Sequence, residues 1–287
     1  MQYMKKYVQE ATDENIWTSI KNNTFGRNKD IKDFIDGLEL IDESACISLD
    51  AKWGDGKTFF VRQIEEVLKY VLANQRADEE NPIEKIPSYE YLKDNEMMAK
   101  IDLKHSYLPI YYNAWMYDNH SDPLMSLLLV MTKTCRGVYD TKIDSEKISK
   151  KLVEALATLP ISLGEFKANP FTAIEKLQGK SMDILSLVQT EEEIRERVKG
   201  IFNDIIVERA QKLVIFIDEL DRCRPSFAIE MLERIKHYFD DERVIFVVSL
   251  NKEQLIHTIT NYYGSGFDAT RYLNKFFDVN IKSSSNG

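Results

Sequence analysis

Cysteine is scarce in this chain. Cys46, Cys135 and Cys223 stand far apart in 287 residues. So odd and dispersed a set offers neither a disulfide framework nor a metal-ligand spacing, and it points to free thiols in a reducing cytosol. His105, His120, His237 and His257 likewise show no ligand spacing, and no Ser-His-Asp or Cys-His grouping is evident. Positive charge is in deficit: 38 Lys and Arg face 47 Asp and Glu, a net charge of −9. That balance disfavours nucleic acid and anionic membrane as partners. Long apolar runs are missing too. The opening "MQYMKKYVQEATDENIW" carries charge throughout and has no apolar h-region, so it is no signal peptide. The most apolar stretch, "DPLMSLLLVMTKTC", is shorter than the ~18–20 residues of a membrane helix and ends in charge. It reads as a buried helix, and the chain as cytoplasmic.

What the sequence does contain is alternation. "ACISLD" (45–50), "YLPIYYNAW" (107–115), "KLVIFIDEL" (212–220), "RVIFVVSLN" (243–251) and "KFFDVNI" (275–281) are near-continuous runs rich in β-branched and aromatic residues, the pattern of strands buried on both faces. Helical patterns lie between them: "TFFVRQIEEVLKYVLANQ", "FAIEMLERIKHYF" and "KEQLIHTITNYY". The expected fold is α/β, a mainly parallel sheet flanked by helices. A single domain is expected over residues 1–287. It carries a charged excursion at 75–106 and an amphipathic helical insertion at 140–210.

The chemistry begins at "DAKWGDGKTFF", residues 50–60. A strand, a glycine turn, "GKT" and a helix follow one another, which is the context a phosphate-binding loop requires. Backbone N–H groups of about residues 54–58 can converge on a phosphate, and the helix N-terminus adds its dipole. Lys57 supplies a point charge to the outer phosphates and Thr58 a hydroxyl to Mg²⁺. Gly54 and Gly56 permit close backbone approach. The full candidate cofactor set is Trp53, Gly54, Asp55, Gly56, Lys57, Thr58 and Phe59. It is joined by Gly26 and Arg27 of "NNTFGRNKDIKDFIDGL", a segment that could cover a base as well as simply start a capped helix. Ala51 stands where the loop pattern has its first glycine, and fits if its φ stays negative. The competing reading is a plain glycine turn with an exposed lysine.

Such a loop needs a metal-holding acid on a neighbouring strand. "KLVIFIDELDRCRP" ends an apolar run in Asp218, at the sheet edge where ligands of open α/β folds bind, and Glu219 next to it can polarise a water. Asp218 thus joins Thr58 as a metal ligand; Glu219, Lys57 and Asp218 form the catalytic set. Candidate sensors or fingers are Asn113 at the end of the second strand, Arg222, Ser249, Asn251 and Arg271. Ser249 and Asn251 could equally cap a helix, and the arginines could be solvated surface charge.

Together, "DAKWGDGKT", "YYNAWMYD…DPL", "FIDELDRCRPSFAIEMLERIKHYF" and "YLNKFFD" resemble the KAP family of P-loop NTPases, from about Thr24 to Asp278. The family belongs to the STAND-like branch, and its members resemble nucleotide-driven switches, many of them bacterial and some in phage defence. The resemblance implies ATP and Mg²⁺ as cofactors, Lys57 and Thr58 on phosphate and metal, Asp218 as metal acid and Glu219 as base. It also implies a helical insertion after the second strand, where 140–210 falls, and a protein partner or homo-oligomer. Relatives continue into further helices after "YLNKFFDVNI", so a C-terminal lid is not expected here. No guanine-reading N/T-K-x-D motif occurs, which favours ATP. Three functions follow from these residues: a slowly hydrolysing ATP switch, a partner-binding module with a vestigial or structural nucleotide site, and a small-molecule kinase. The acidic Asp218-Glu219 pair argues for water as acceptor over a metabolite.

Overall fold

Four of the five strands fall on the apolar runs almost residue for residue. They are β1 (Ala45–Asp50), β2 (Tyr107–Asn113), β3 (Lys212–Asp218) and β4 (Val244–Leu250). The computed structural model describes residues 10–78, 82–120, 122–137, 210–238 and 241–282, with a few positions between 196 and 203. The expected insertion at 140–210 lies almost wholly outside the described residues. The fifth strand, β5, is Val279–Lys282, shorter and later than the 275–281 run suggests. Phe276 and Phe277 are instead buried among the helices, in a turn where the Phe276 N–H donates to the Leu273 carbonyl at 3.0 Å. Apolar character alone does not separate a helix-packed turn from a strand.

All strand pairs are parallel, in the order β2-β3-β4-β1-β5. β4 therefore lies between β1 and β3, and the strand bearing Asp218 is not the direct neighbour of the one entering the glycine loop, as the sequence suggests. Side chains alternate between faces. Ile47, Leu49, Val214, Phe216, Ile245 and Val247 pack with α1 (Asp13–Lys21), α2 (Asn28–Leu38) and α3 (Lys57–Gln75). Residues one step along, Leu213, Ile215, Ile217, Val244, Phe246 and Val248, pack on the opposite face. A short α4 (Tyr89–Leu92) precedes β2; the helices on that opposite face are α5 (Pro123–Gly137), α6 (Pro225–Tyr238), α7 (Lys252–Tyr263) and α8 (Ala269–Leu273). The result is a three-layer α/β/α sandwich, each fully buried aliphatic side chain contributing about 1.5–3 kcal/mol. The apolar stretch around residue 125 is a buried helix, with Leu127, Leu128 and Met131 inaccessible.

Two charged regions contribute to the packing. Much of 75–106 packs on α1: Leu92 and Met97 are buried, and Asn95 Nδ2 donates to the Ile20 carbonyl at 2.9 Å. Along α3, Glu65 and Glu66 are buried charges. Lys69 pairs with Glu65 at 2.7 Å and Glu66 at 2.8 Å, and Arg62 joins Glu65 to Asp13 of α1. Trp17 Nε1 donates to Glu66 at 2.6 Å. Burial pushes the Glu65 carboxyl up, against the pull of Lys69 and Arg62. This network ties α1 to the helix that begins at the glycine loop.

Candidate nucleotide site

The loop leaves β1 without strain. The Ala51 N–H donates to the Leu250 carbonyl at 3.2 Å, so Ala51 extends the β1–β4 ladder by one step. It is buried and is not among the left-handed residues, which removes the need for glycine there. The turn closes through Asp55 N–H to the Lys52 carbonyl (3.3 Å) and Lys52 N–H to Asp55 Oδ2 (3.1 Å). Gly54 and Gly56 take φ of +92° and +75°, a region open to glycine at little cost. Gly56 caps α3, and neither a side-chain cap nor an acidic residue occupies its first turn. Among the described residues, no acceptor takes the N–H groups of Gly54, Gly56, Lys57, Thr58 or Phe59. Unmatched donors at a helix N-terminus suit an anion. Lys57 folds back over the loop, Nζ donating to the carbonyls of Ala51 (2.6 Å) and Lys52 (3.1 Å). Burial lowers its pKa, while Asp221, Asp218 and Asp55 pull the other way.

Across β4 stands the acidic edge. Asp218 is fully buried at the end of β3, in register with Asn113 of β2. Its Oδ2 accepts from Tyr111 Oη at 3.0 Å and its Oδ1 from the Glu219 N–H at 3.0 Å. Burial and then Asp218 drive the Tyr111 pKa far up, so the phenol remains a donor. Arg62 lies over its ring, 4.8 Å from the centroid. Glu219 adopts φ +61°, a left-handed conformation that costs a non-glycine residue about 1 kcal/mol or more. Its carboxylate is held at both oxygens, by Asn113 Nδ2 at 3.2 Å and Arg222 Nη1 at 3.0 Å. Arg222 in turn lies over the ring of Trp115, 5.6 Å from its centroid. Trp53 Nε1 donates to the buried Asp221, tying the loop to the acidic turn.

The remaining candidates scatter. Gly26 is left-handed at φ +68°, and Arg27 donates to the carbonyls of Asp55 (2.9 Å) and Gly56 (3.2 Å) of the loop itself. The Phe59 side chain packs against the core cluster of α1–α3. Ser249 is buried on β4, its hydroxyl without a partner among the described residues. Asn251 caps α7, accepting from the Gln254 N–H at 3.1 Å, the helix-cap role. Arg271 is exposed near the start of α8. Trp115 is 54% exposed and serves as a shelf for Arg222. Sequence reasoning missed Tyr111 and Arg62. Tyr111 could have been found, because two residues before Asn113 on a strand shares its face.

The donor set fits a phosphate chain with a hard cation: open backbone N–H groups, an ammonium, the Thr58 hydroxyl and one buried carboxylate. No group of three or more acidic, His or Cys side chains among the described residues could hold a metal by itself. Thr58 and Asp218 are the residues that would hold Mg²⁺, which keeps waters and takes one or two protein oxygens beside phosphate. The KAP family P-loop domain matches residues 27–285. The chain belongs to the KAP family. No curated protein matches it. This KAP domain is a nucleotide-binding module with the P-loop NTPase fold, its loop following β1 and Asp218 ending β3. Among its described residues no helix is long and apolar enough to cross a membrane.

Proposed function

We propose that this KAP domain binds ATP with Mg²⁺, hydrolyses it slowly, and works as a nucleotide-dependent switch in a cytoplasmic bacterial assembly, with defence as its setting. The observation that carries the reading is the shared sheet edge of Lys57, Asp218 and Glu219, with Glu219 restrained at both oxygens. The open amides of Gly54, Gly56, Lys57 and Thr58, with the Lys57 ammonium, hold the outer phosphates, Lys57 giving up the carbonyls of Ala51 and Lys52 to do so. Thr58 and Asp218 would hold Mg²⁺, which when bound offsets charge on the phosphates. Glu219 accepts the proton of a water attacking the γ-phosphorus, and ADP leaves. The bonds from Asn113 and Arg222 occupy both oxygens of the Glu219 carboxylate and make it a weaker base, so turnover is slow until they loosen. A protein partner or a second copy that draws Arg222 away supplies that release, and Arg271 is a candidate finger for such a contact.

The same restraint favours a second reading, a partner-binding module that holds nucleotide without turning it over. Mass-resolved oligomer analysis with and without ATP and Mg²⁺ tests the switch. Lys57→Ala abolishes nucleotide binding; Glu219→Gln keeps binding and loses phosphate release. A wild-type protein whose melting temperature ignores nucleotide overturns both readings, and tight binding without turnover, partner present, selects the second.

A further inference from the structure

Arg27 precedes the loop by almost thirty residues, yet its guanidinium bridges two consecutive loop carbonyls, Asp55 and Gly56, at 2.9 and 3.2 Å. We infer that Arg27 is a positioning residue that aims the loop amides at phosphate from behind and does not itself touch nucleotide. The argument rests on peptide geometry. A trans peptide sets its N–H opposite its C=O. The Asp55 carbonyl is held by Arg27, and the Gly56 carbonyl by Arg27 together with the Phe60 N–H of α3 (3.0 Å), so the N–H groups of Gly56 and Lys57 turn to the other side, where they meet no acceptor among the described residues. The cation also polarises both peptides, strengthening those N–H groups as donors.

The neighbourhood is built around this contact. A Cβ on Gly56 would lie 3.1 Å from both terminal nitrogens of Arg27, so the guanidinium occupies the space a side chain would need. The segment that delivers Arg27 is bent through left-handed Asn23, Phe25 and Gly26. It is braced by Asn28 N–H to Asn23 Oδ1 (3.0 Å) and Asn28 Nδ2 to the Ile20 carbonyl (2.9 Å). Two non-glycine residues at positive φ make this a strained turn kept by its surroundings. A lysine would keep the charge but, as a single ammonium, would not reproduce the planar fork across two carbonyls.

This inference rests on the nucleotide reading for its binding arm and stands apart from it in a second arm. Titration of wild-type, Arg27→Lys and Arg27→Ala proteins with Mg-ATP and with Mg-tripolyphosphate, which has phosphates and no base, is the first arm. Both variants should lose affinity about tenfold, equally for the two ligands, with urea midpoints showing the proteins folded under assay conditions. Full affinity in Arg27→Lys, or a loss for ATP alone, overturns the inference, the latter by showing contact with the base or sugar. The second arm measures amide relaxation by NMR on the nucleotide-free full chain. Order parameters of Gly54, Gly56 and Lys57 should fall in Arg27→Lys while those of β1 stay unchanged; an unaltered loop overturns the inference. If the wild type binds neither ligand, the nucleotide reading fails and the relaxation arm alone decides Arg27.

Discussion

Replacing Tyr111 with Phe removes one oxygen and little else. The ring stays, half-sandwiched by Arg62 at 4.8 Å, and the β2 backbone is untouched. What goes is the hydrogen bond to Asp218 Oδ2 at 3.0 Å, inside a site where Asp218 has no solvent exposure. A hydrogen bond to a charged group contributes about 1.5–3 kcal/mol, and leaving its buried partner short of a donor sets the cost near that range. Among the described residues Asp218 keeps only the Glu219 N–H, on its other oxygen, and no second donor reaches Oδ2. With a urea m-value of about 2–3 kcal/mol/M, the unfolding midpoint should fall by roughly 0.5–1.5 M at unchanged m. The assay is equilibrium urea denaturation at neutral pH, followed by tryptophan fluorescence. A midpoint that does not move refutes the claim that Tyr111 supports the buried carboxylate. A midpoint that moves together with m points to altered compactness and equally undermines the single-bond argument.

Arg222→Ala should raise basal phosphate release several-fold, because it frees Glu219 Oε1 from the 3.0 Å ion pair; a fall in rate would show that Arg222 acts as a finger and not as a restraint. Cys46 is buried, with its thiol pushed up to about 12 by burial and Asp278, so at pH 7–8 it should resist thiol reagents until the chain unfolds. Peptide mapping after labelling across the urea transition checks this, and labelling of Cys46 in the native protein would contradict its packing.

Periodicity and glycine placement make the sheet and the loop legible in the sequence, because a strand buried on both faces needs a continuous apolar run and a phosphate loop needs glycine at fixed offsets. β1 and α7 match their expected limits, and Asp218 ends β3 where the apolar run ends. Local chemistry could not say that β4 slips between β1 and β3, since strand order is set by how crossover helices pack and not by any one run. Nor could it say what the polar side chains do. Glu65 and Glu66 are buried with Lys69 and Arg62; Arg27, in a segment that could cover a base or simply start a helix, grips loop carbonyls; Glu219, a candidate base, is held by Asn113 and Arg222. The sequence alone determined where the glycine loop lies and which runs must be buried, because those depend on spacing along the chain. Only the tertiary structure decided which charge meets which, because partners more than 100 residues apart, such as Tyr111 and Asp218, are joined by folding and not by sequence distance.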